Sequence, residues 1–264
     1  MLVAPSDADQ AVPFLCQRIQ KLLRRTRATR PDKRVLVALA GVPGSGKTTV
    51  ATAVLAALVT EYGIKQVQVV PMDGFHYSNA VLATFADPAW AVHRRGAPFT
   101  FDADAFVKLI ARLQSMPVTA ADEPEIIIRA PSFDHARKDP VPNDIAISSR
   151  TELVIIEGNY TLLDQPPWNK IAQLVDDKYN PLSHPATASV FSPPPPLIPP
   201  ANVFRRWFVD SPAKVVRQRL IDRHLRAGIE TTEEAAARRA EENDIPNGLL
   251  ILSHLVEPDV RICN

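Results

Sequence analysis

This chain of 264 residues contains few glycines and few cysteines, and its net charge is small. The nine glycines fall below the usual share of about 7%, so we expect most of them where the backbone needs a positive φ or a close approach. The two cysteines, Cys16 and Cys263, stand near opposite ends and provide neither a disulfide framework nor a metal-binding pattern. A formal net charge of +1 excludes the strong basic bias typical of nucleic-acid partners, and we expect none.

Long hydrophobic runs are also missing. No apolar run approaches the roughly 18 residues of a membrane-spanning helix, so we expect no membrane partner. Two separate cysteines fit a reducing compartment, and we expect a cytoplasmic protein. The arginine-rich, amphipathic stretch 10–30 leaves a mitochondrial presequence as the alternative, but Asp7 and Asp9 count against it because transit peptides are poor in acidic residues. We therefore interpret residues 1–33 as an N-terminal amphipathic helix that packs on the main domain.

Residues 34–264 alternate between apolar runs and helical patterns, which indicates one α/β domain. Continuous apolar runs, typical of strands buried on both faces, occur at 35–40, 67–70, 126–129, 153–157 and 206–210. Helical spacing recurs after most of them, and it predicts a helical lid at about 212–242. Such alternation predicts a doubly wound, mostly parallel five-stranded sheet with helices on both faces. Residues 179–204 interrupt the pattern with eight prolines, and we interpret them as a disordered surface insertion.

One motif is typical of phosphate-binding loops. The run Gly41-Val-Pro-Gly-Ser-Gly-Lys-Thr48 fits the Walker A pattern G-x-x-x-x-G-K-[ST] in full, between an apolar strand and a helix. Its glycines let backbone N–H groups turn toward phosphate oxygens, and the helix adds its positive N-terminal end. This predicts the P-loop NTPase type of fold, with ATP and Mg²⁺ as cofactors. The predicted nucleotide-binding residues are Gly41, Val42, Pro43, Gly44, Ser45, Gly46, Lys47, Thr48 and Thr49.

Two acidic residues follow strands that we expect beside the P-loop. Ligands of doubly wound sheets bind at the carboxyl ends of the strands. Asp73, in the run MDGFH after the second strand, could there accept the proton of an attacking hydroxyl. Glu157 ends the strand 153–157 and could hold Mg²⁺ directly or through water. A turn-forming or strand-capping carboxylate is the alternative for each. The predicted Mg²⁺ ligands are Thr48, Glu157 and Asp73.

Three basic segments could contact the phosphate or its acceptor. Residues 93–96 (HRRG) and 133–138 (FDHARK) could orient an acceptor, while Arg219, Arg223 and Arg226 share one helix face that could close over the phosphoryl group. Solvated surface charge is the alternative for each segment. The predicted catalytic residues are Asp73, Lys47 and Arg223. The predicted acceptor-binding residues are His76, Arg95, Phe133, His135 and Arg137.

The order of these motifs resembles one branch of the P-loop kinases. The chain resembles the phosphoribulokinase and uridine kinase-like branch, in which the same motifs follow one another: P-loop, DGFH, RRGAPFTFD, PSFD, IIEGNY, RWFVD, a basic helix and NDIPN. Within that branch it is similar to the pantothenate kinase-like members, to a bacterial nucleoside or fructose kinase-like group and to fungal relatives. The resemblance implies transfer of the ATP γ-phosphoryl to a hydroxyl of a small metabolite (sugar, pantothenate-like or nucleoside). It also implies that Asp73 is the catalytic base and that Glu157 joins Thr48 in the Mg²⁺ site. Relatives of this branch are often dimers, so a homodimer is one expected state.

Two departures from that branch bear on the function. Phe133 stands where uridine kinases carry a tyrosine, which removes a hydroxyl donor and weakens a nucleoside assignment. About 25 residues, near 179–204, intervene where relatives run almost directly into the RWFVD strand. One hypothesis is read-through of an unspliced intron; a single mature transcript encoding the prolines would contradict it.

Two alternatives to a kinase remain open at this stage. A nucleotide-dependent switch or assembly factor would use the P-loop without an acceptor, although the N-K-x-D guanine motif is missing, since Ile171 and Ala172 follow Asn169-Lys170. A catalytically silent member of the family would bind ATP only. The intact Lys47, Thr48, Asp73 and Glu157 count against silence.

Overall fold

A parallel sheet forms the centre of the computed structural model, which describes residues 2–4, 8–175 and 205–264. The strands are β1 Leu2–Val3, β2 Val35–Gly41, β3 Val67–Pro71, β4 Ile127–Asp134, β5 Asp139–Ser148, β6 Leu153–Glu157, β7 Arg206–Asp210 and β8 Val260–Cys263. The α-helices are α1 Ala8–Thr29, α2 Lys47–Thr60, α3 Asn79–Leu82, α4 Pro88–His93, α5 Ala103–Ser115, α6 Asn169–Val175, α7 Ala213–Arg226, α8 Glu233–Arg239 and α9 Ile245–Ser253. Met72–Phe75 and Pro98–Thr100 form 3₁₀ turns, and Ala240–Asp244 is π-helical.

The main sheet has the order β1-β8-β7-β2-β6-β3, and all neighbouring strands in it are parallel. The predicted α/β class with a mostly parallel sheet is confirmed, but the count of five strands is wrong. The run predicted at 126–129 is not in this sheet: β4 pairs antiparallel with β5 in a separate hairpin. Its residues alternate, with Ile127 exposed and Ile128 buried, because only one face of the hairpin is covered.

Strands β1 and β8 complete the parallel sheet at one edge. Neither strand has a continuous apolar run that would predict it, because β1 has two residues and Arg261 interrupts β8. The central strands β2 and β6 are buried along their whole length, which explains their unbroken aliphatic sequences.

Helices cover both faces of the sheet, as predicted. On one face, α1 and α2 bury Leu15, Ile19, Val54 and Leu58. The other face is covered by a larger cluster that includes Phe106, Ile110, Trp168, Ile171 and Leu220. Residues 213–239 of the predicted lid region are helical apart from the α7–α8 connection, and 240–242 belong to the π-helical turn.

The proline-rich segment 179–204 lies outside the described residues, so its predicted disorder stays a prediction. Across 2–4, 8–175 and 205–264, none of the helices is both long enough and apolar enough to cross a membrane.

Candidate active site

Three neighbouring strands bring the P-loop, Glu157 and Asp73 to one edge of the sheet. β2 and β3 flank β6, and both Leu39 and Pro71 pair with Glu157 in the register. The P-loop follows β2 directly, and Asp73 lies two residues beyond Pro71. Because parallel strands end at the same edge, residues more than 80 positions apart in sequence converge there.

The P-loop backbone depends on its glycines. Gly44 and Gly46 have φ of 79° and 90°, a region that residues with a Cβ rarely adopt. A side chain on Gly41 would meet the Val209 carbonyl oxygen at 2.9 Å and the hydroxyl of Ser45. That hydroxyl is buried and has no hydrogen-bond partner among the described residues. Gly46 ends the loop, and α2 begins at Lys47, so free N–H groups of the first helical turn face the same edge.

Glu157 lies directly beside the start of α2. The Thr48 hydroxyl donates to Glu157 Oε1 at 3.3 Å, and Lys47 Nζ lies 3.9 Å from the same oxygen. Burial raises the pKa of Glu157 to about 7, an effect that Lys47 opposes and the negative charge of Asp73 adds to. A hydroxyl and two carboxylates thus share one small region. These hard oxygen donors are the type that Mg²⁺ prefers. Within the described ranges, no three His, Cys, Asp or Glu side chains are close enough to form a metal site alone.

The raised pKa of Glu157 predicts a pH-dependent stability in the presence of a chelator. Between its ordinary value of 4.5 and about 7, the folded protein retains a proton that the unfolded chain has released. The free energy of unfolding should therefore fall as pH rises from 5 to 7, by about 2 kcal/mol from this group. Urea unfolding at both pH values should show that Glu157→Gln removes this part of the decrease. An identical decrease in the variant would contradict the assignment.

Asp73 lies in the tight 3₁₀ turn after β3. Gly74 leaves no room for a Cβ, because one would collide with the backbone of Pro131 in the β4–β5 hairpin. The Asp73 carbonyl oxygen lies 2.8 Å from His76 Nδ1 and accepts from that ring. The turn thereby fixes the half-buried Asp73 between the sheet edge and the hairpin.

Four of the five predicted acceptor-binding residues form an aromatic and cationic cluster beside Asp73. Ring centroids of His76 and Phe133 lie 4.9 Å apart, and those of Phe133 and His135 lie 5.3 Å apart. The guanidinium of Arg95 lies 5.4 Å from the centre of the Phe133 ring. Burial lowers the pKa of His76, which favours its neutral ring. Arg137 is exposed on the hairpin turn, where its backbone N–H donates to Asp134.

The basic helix α7 presents different arginines to different partners. Arg219 Nη1 lies 3.3 Å from the Ser45 carbonyl oxygen, so this arginine contacts the P-loop. Arg223, the predicted catalytic arginine, donates instead to Asp244 at 2.8 Å. Asp244 also bonds the buried His224 at 2.8 Å. The sequence showed that these arginines share a face but could not rank them, and the role of Arg223 stays a prediction.

Comparison with known proteins fits this geometry. No family model matches the chain. A Schizosaccharomyces pombe protein named "Putative uridine kinase C227.14" is 36% identical over 238 residues, covering 90% of this chain and 86% of that protein. The Aspergillus versicolor "ATP-dependent kinase-like protein notR'" is 39% identical over 176 residues, covering 67% and 84%. The chain belongs to the uridine kinase-like family of P-loop kinases.

A solved structure extends the likeness over nearly the full chain. The structure described as a "putative fructose transport system kinase" from Silicibacter sp. TM1040 has a TM-score of 0.68 and 29% identity. It covers 95% of this chain and 98% of its own. The predicted membership of this kinase branch is confirmed.

This kinase also contains a polar segment for which the sequence predicted no role. Asn243, Asp244 and Asn247, at the π-helical turn and the start of α9, are all buried. Asn243 Nδ2 donates to the Arg95 carbonyl oxygen at 2.9 Å, and Arg94 donates to the side-chain oxygens of Asn243 and Asn247. The run NDIPN signalled the segment, but nothing in one sequence indicated that it contacts the RRG turn.

Proposed function

We propose that this kinase transfers the γ-phosphoryl of ATP to a hydroxyl group of a small metabolite, with Mg²⁺. The observation that supports this most is the convergence of Lys47, Thr48, Glu157 and Asp73 at one sheet edge, beside a cluster suited to a small acceptor. A nucleotide switch has no need of a half-buried carboxylate next to an acceptor-sized cluster. Two similar proteins, named "Putative uridine kinase" and "putative fructose transport system kinase", are consistent with nucleoside or sugar hydroxyls as acceptors.

The residues present fit a Mg²⁺–nucleotide complex. Thr48, Glu157 and Asp73 would hold the ion, with phosphate oxygens completing its coordination. Bound Mg²⁺ would neutralise charge on the phosphates. It would also favour ionised Glu157, whose burial otherwise favours the neutral acid. Lys47 is then free to contact phosphate oxygens, because the one carboxylate near it in the described part of the chain, Glu157, lies 3.9 Å from its Nζ.

The chain's own residues supply a base and positive charge for the transfer. Asp73 accepts the proton of the acceptor hydroxyl as its oxygen bonds to the γ-phosphorus. The bond from that phosphorus to the bridging oxygen breaks, and ADP leaves. Lys47 and Arg219, which contacts the P-loop at Ser45, offset charge on the phosphates. The cluster of His76, Arg95, Phe133 and His135 would orient the acceptor, so positioning and charge account for the rate.

An acceptor screen tests this proposal. Purified protein with Mg²⁺ and ATP is assayed for ADP release with nucleosides, sugars and pantothenate offered one at a time. We expect one class to raise ADP release by at least about tenfold over the acceptor-free rate, and chelation of Mg²⁺ to abolish the increase. Nucleotide binding with a constant ADP release across all classes, also after deletion of 179–204, would favour the nucleotide switch instead.

A further inference from the structure

Arg94 is a half-buried cation at the edge of the active site, and its hydrogen-bond partners among the described residues are neutral. Its Nε donates to Asn243 Oδ1 at 3.1 Å and its Nη2 to Asn247 Oδ1 at 3.2 Å. The guanidinium also lies 5.4 Å from the centre of the Trp90 ring. Within the described parts of the chain, no carboxylate lies within 4 Å of it. Its bonded partners are neutral, so they orient the charge without cancelling it.

Three other arginines nearby are paired with carboxylates. Arg95 lies 3.4 Å from Asp139, Arg217 lies 2.6 Å from Glu241, and Arg223 lies 2.8 Å from Asp244. The acidic residues closest in sequence to the two asparagines are also occupied. Glu242 lies 3.7 Å from His93, and Asp244 bonds both Arg223 and His224. Arg94 differs from these three arginines in having only neutral partners among the described residues. Arg219, which bonds the Ser45 carbonyl oxygen and the Ser211 hydroxyl, likewise has no described carboxylate within 4 Å.

The neighbours of Arg94 contact both the P-loop and the buried Tyr160. Asn247, one of its partners, precedes Gly248, which packs against the P-loop: a Cβ there would make an ordinary contact with Val42 Cβ at 3.4 Å. On the other side, Gly96 of the same turn accepts from the Tyr160 hydroxyl at 2.6 Å. The charges of Arg94, Asp244 and Asp73 all act on the pKa of that hydroxyl, although burial raises it most. Arg94 is thus connected to the P-loop through Asn247 and Gly248, and it lies close enough to Tyr160 for its charge to act on that hydroxyl.

We propose that Arg94 is an anion-binding residue of this site, held ready by Asn243 and Asn247 for a phosphoryl or carboxylate group. The proposal rests on the proposed function and adds a ligand contact to it. A desolvated guanidinium gains most from an anion that it meets through charge-assisted hydrogen bonds. The anion has two sources, the γ-phosphoryl of the nucleotide or an anionic group of the acceptor.

Inorganic phosphate is the probe that tests this without a known acceptor. Calorimetric titration of phosphate into protein saturated with Mg²⁺-ADP leaves only sites outside the ADP phosphates for the anion. We expect the unmodified protein to bind phosphate, and Arg94→Met to weaken that binding by about 10- to 100-fold. Asn247→Asp should weaken it similarly, because it places a carboxylate against the guanidinium at nearly unchanged size. Arg150→Met, which removes an arginine paired with Glu125 at the opposite edge of the sheet, should change it less than about twofold.

A second titration separates the two sources. With a non-hydrolysable ATP analogue in place of ADP, lost phosphate binding assigns the anion to the γ-phosphoryl, and persistent Arg94-dependent binding assigns it to the acceptor. Unmodified protein that binds no phosphate beside Mg²⁺-ADP would overturn the proposal, as would phosphate affinity unchanged in both folded variants. Since the acceptor screen follows ADP release, its failure is distinguishable from this one.

Discussion

Asp73→Asn is expected to lower acceptor-dependent turnover by about 10²- to 10⁴-fold while nucleotide affinity changes little. Asparagine has nearly the same size and can keep the 3₁₀ turn, whose hydrogen bond to His76 uses the backbone carbonyl. What it cannot do is accept the proton of the attacking hydroxyl. Steady-state ADP release with the acceptor found in the screen gives the rate, and calorimetry gives the affinity for the nucleotide.

Asp104→Asn is a matched control for that change. Asp104 is exposed in the first turn of α5, and its replacement should leave turnover within about twofold. If Asp73→Asn kept at least half of the activity, Asp73 would not be the base. If it abolished nucleotide binding as well, its main role would lie in the Mg²⁺ site.

Arg34→Met is expected to cause the largest loss of stability, about 3 kcal/mol or more. Arg34 is 4% exposed, and burial lowers its pKa to about 10. Its guanidinium donates to carbonyl oxygens at the end of α5 and in the turn before β6, namely those of Thr151 and Leu113 at 2.7 Å, Ser149 at 3.2 Å, and Met116 and Ser148 at 3.4 Å. Methionine fills a similar volume but leaves these carbonyls without a donor.

Urea denaturation of Arg34→Met and of Arg112→Met measures this effect. Arg112 is exposed on α5, so its replacement should change the free energy of unfolding by less than about 0.5 kcal/mol. A loss below about 1 kcal/mol for Arg34→Met would show that water or a backbone shift satisfies the carbonyls.

The sequence predicted the parts of the site that depend on strand ends. An unbroken aliphatic run followed by a phosphate loop or an acidic residue is a local pattern, and the parallel sheet then places its carboxyl ends together. Asp73 and Glu157 could be named for this reason. The failure at 126–129 has the same origin, because a short apolar run indicates burial but not which sheet contains the strand.

Contacts between distant loops could not be predicted. Arg94 and Arg95 are adjacent arginines with the same local pattern, yet one pairs with Asp139 and the other with two asparagines about 150 residues away. Likewise, Arg219 and Arg223 lie one helical turn apart and differ only in which partner lies opposite. Such choices depend on tertiary packing, which a single sequence does not display.

Phosphorus NMR of a reaction mixture tests the central claim most directly. Protein, Mg²⁺-ATP and the acceptor that raises ADP release are followed over time. A kinase with the proposed chemistry predicts a new phosphomonoester resonance that grows in step with ADP, and its absence with Asp73→Asn. Growth of inorganic phosphate alone, in step with ADP, would mean that water is the acceptor and would contradict the proposed transfer.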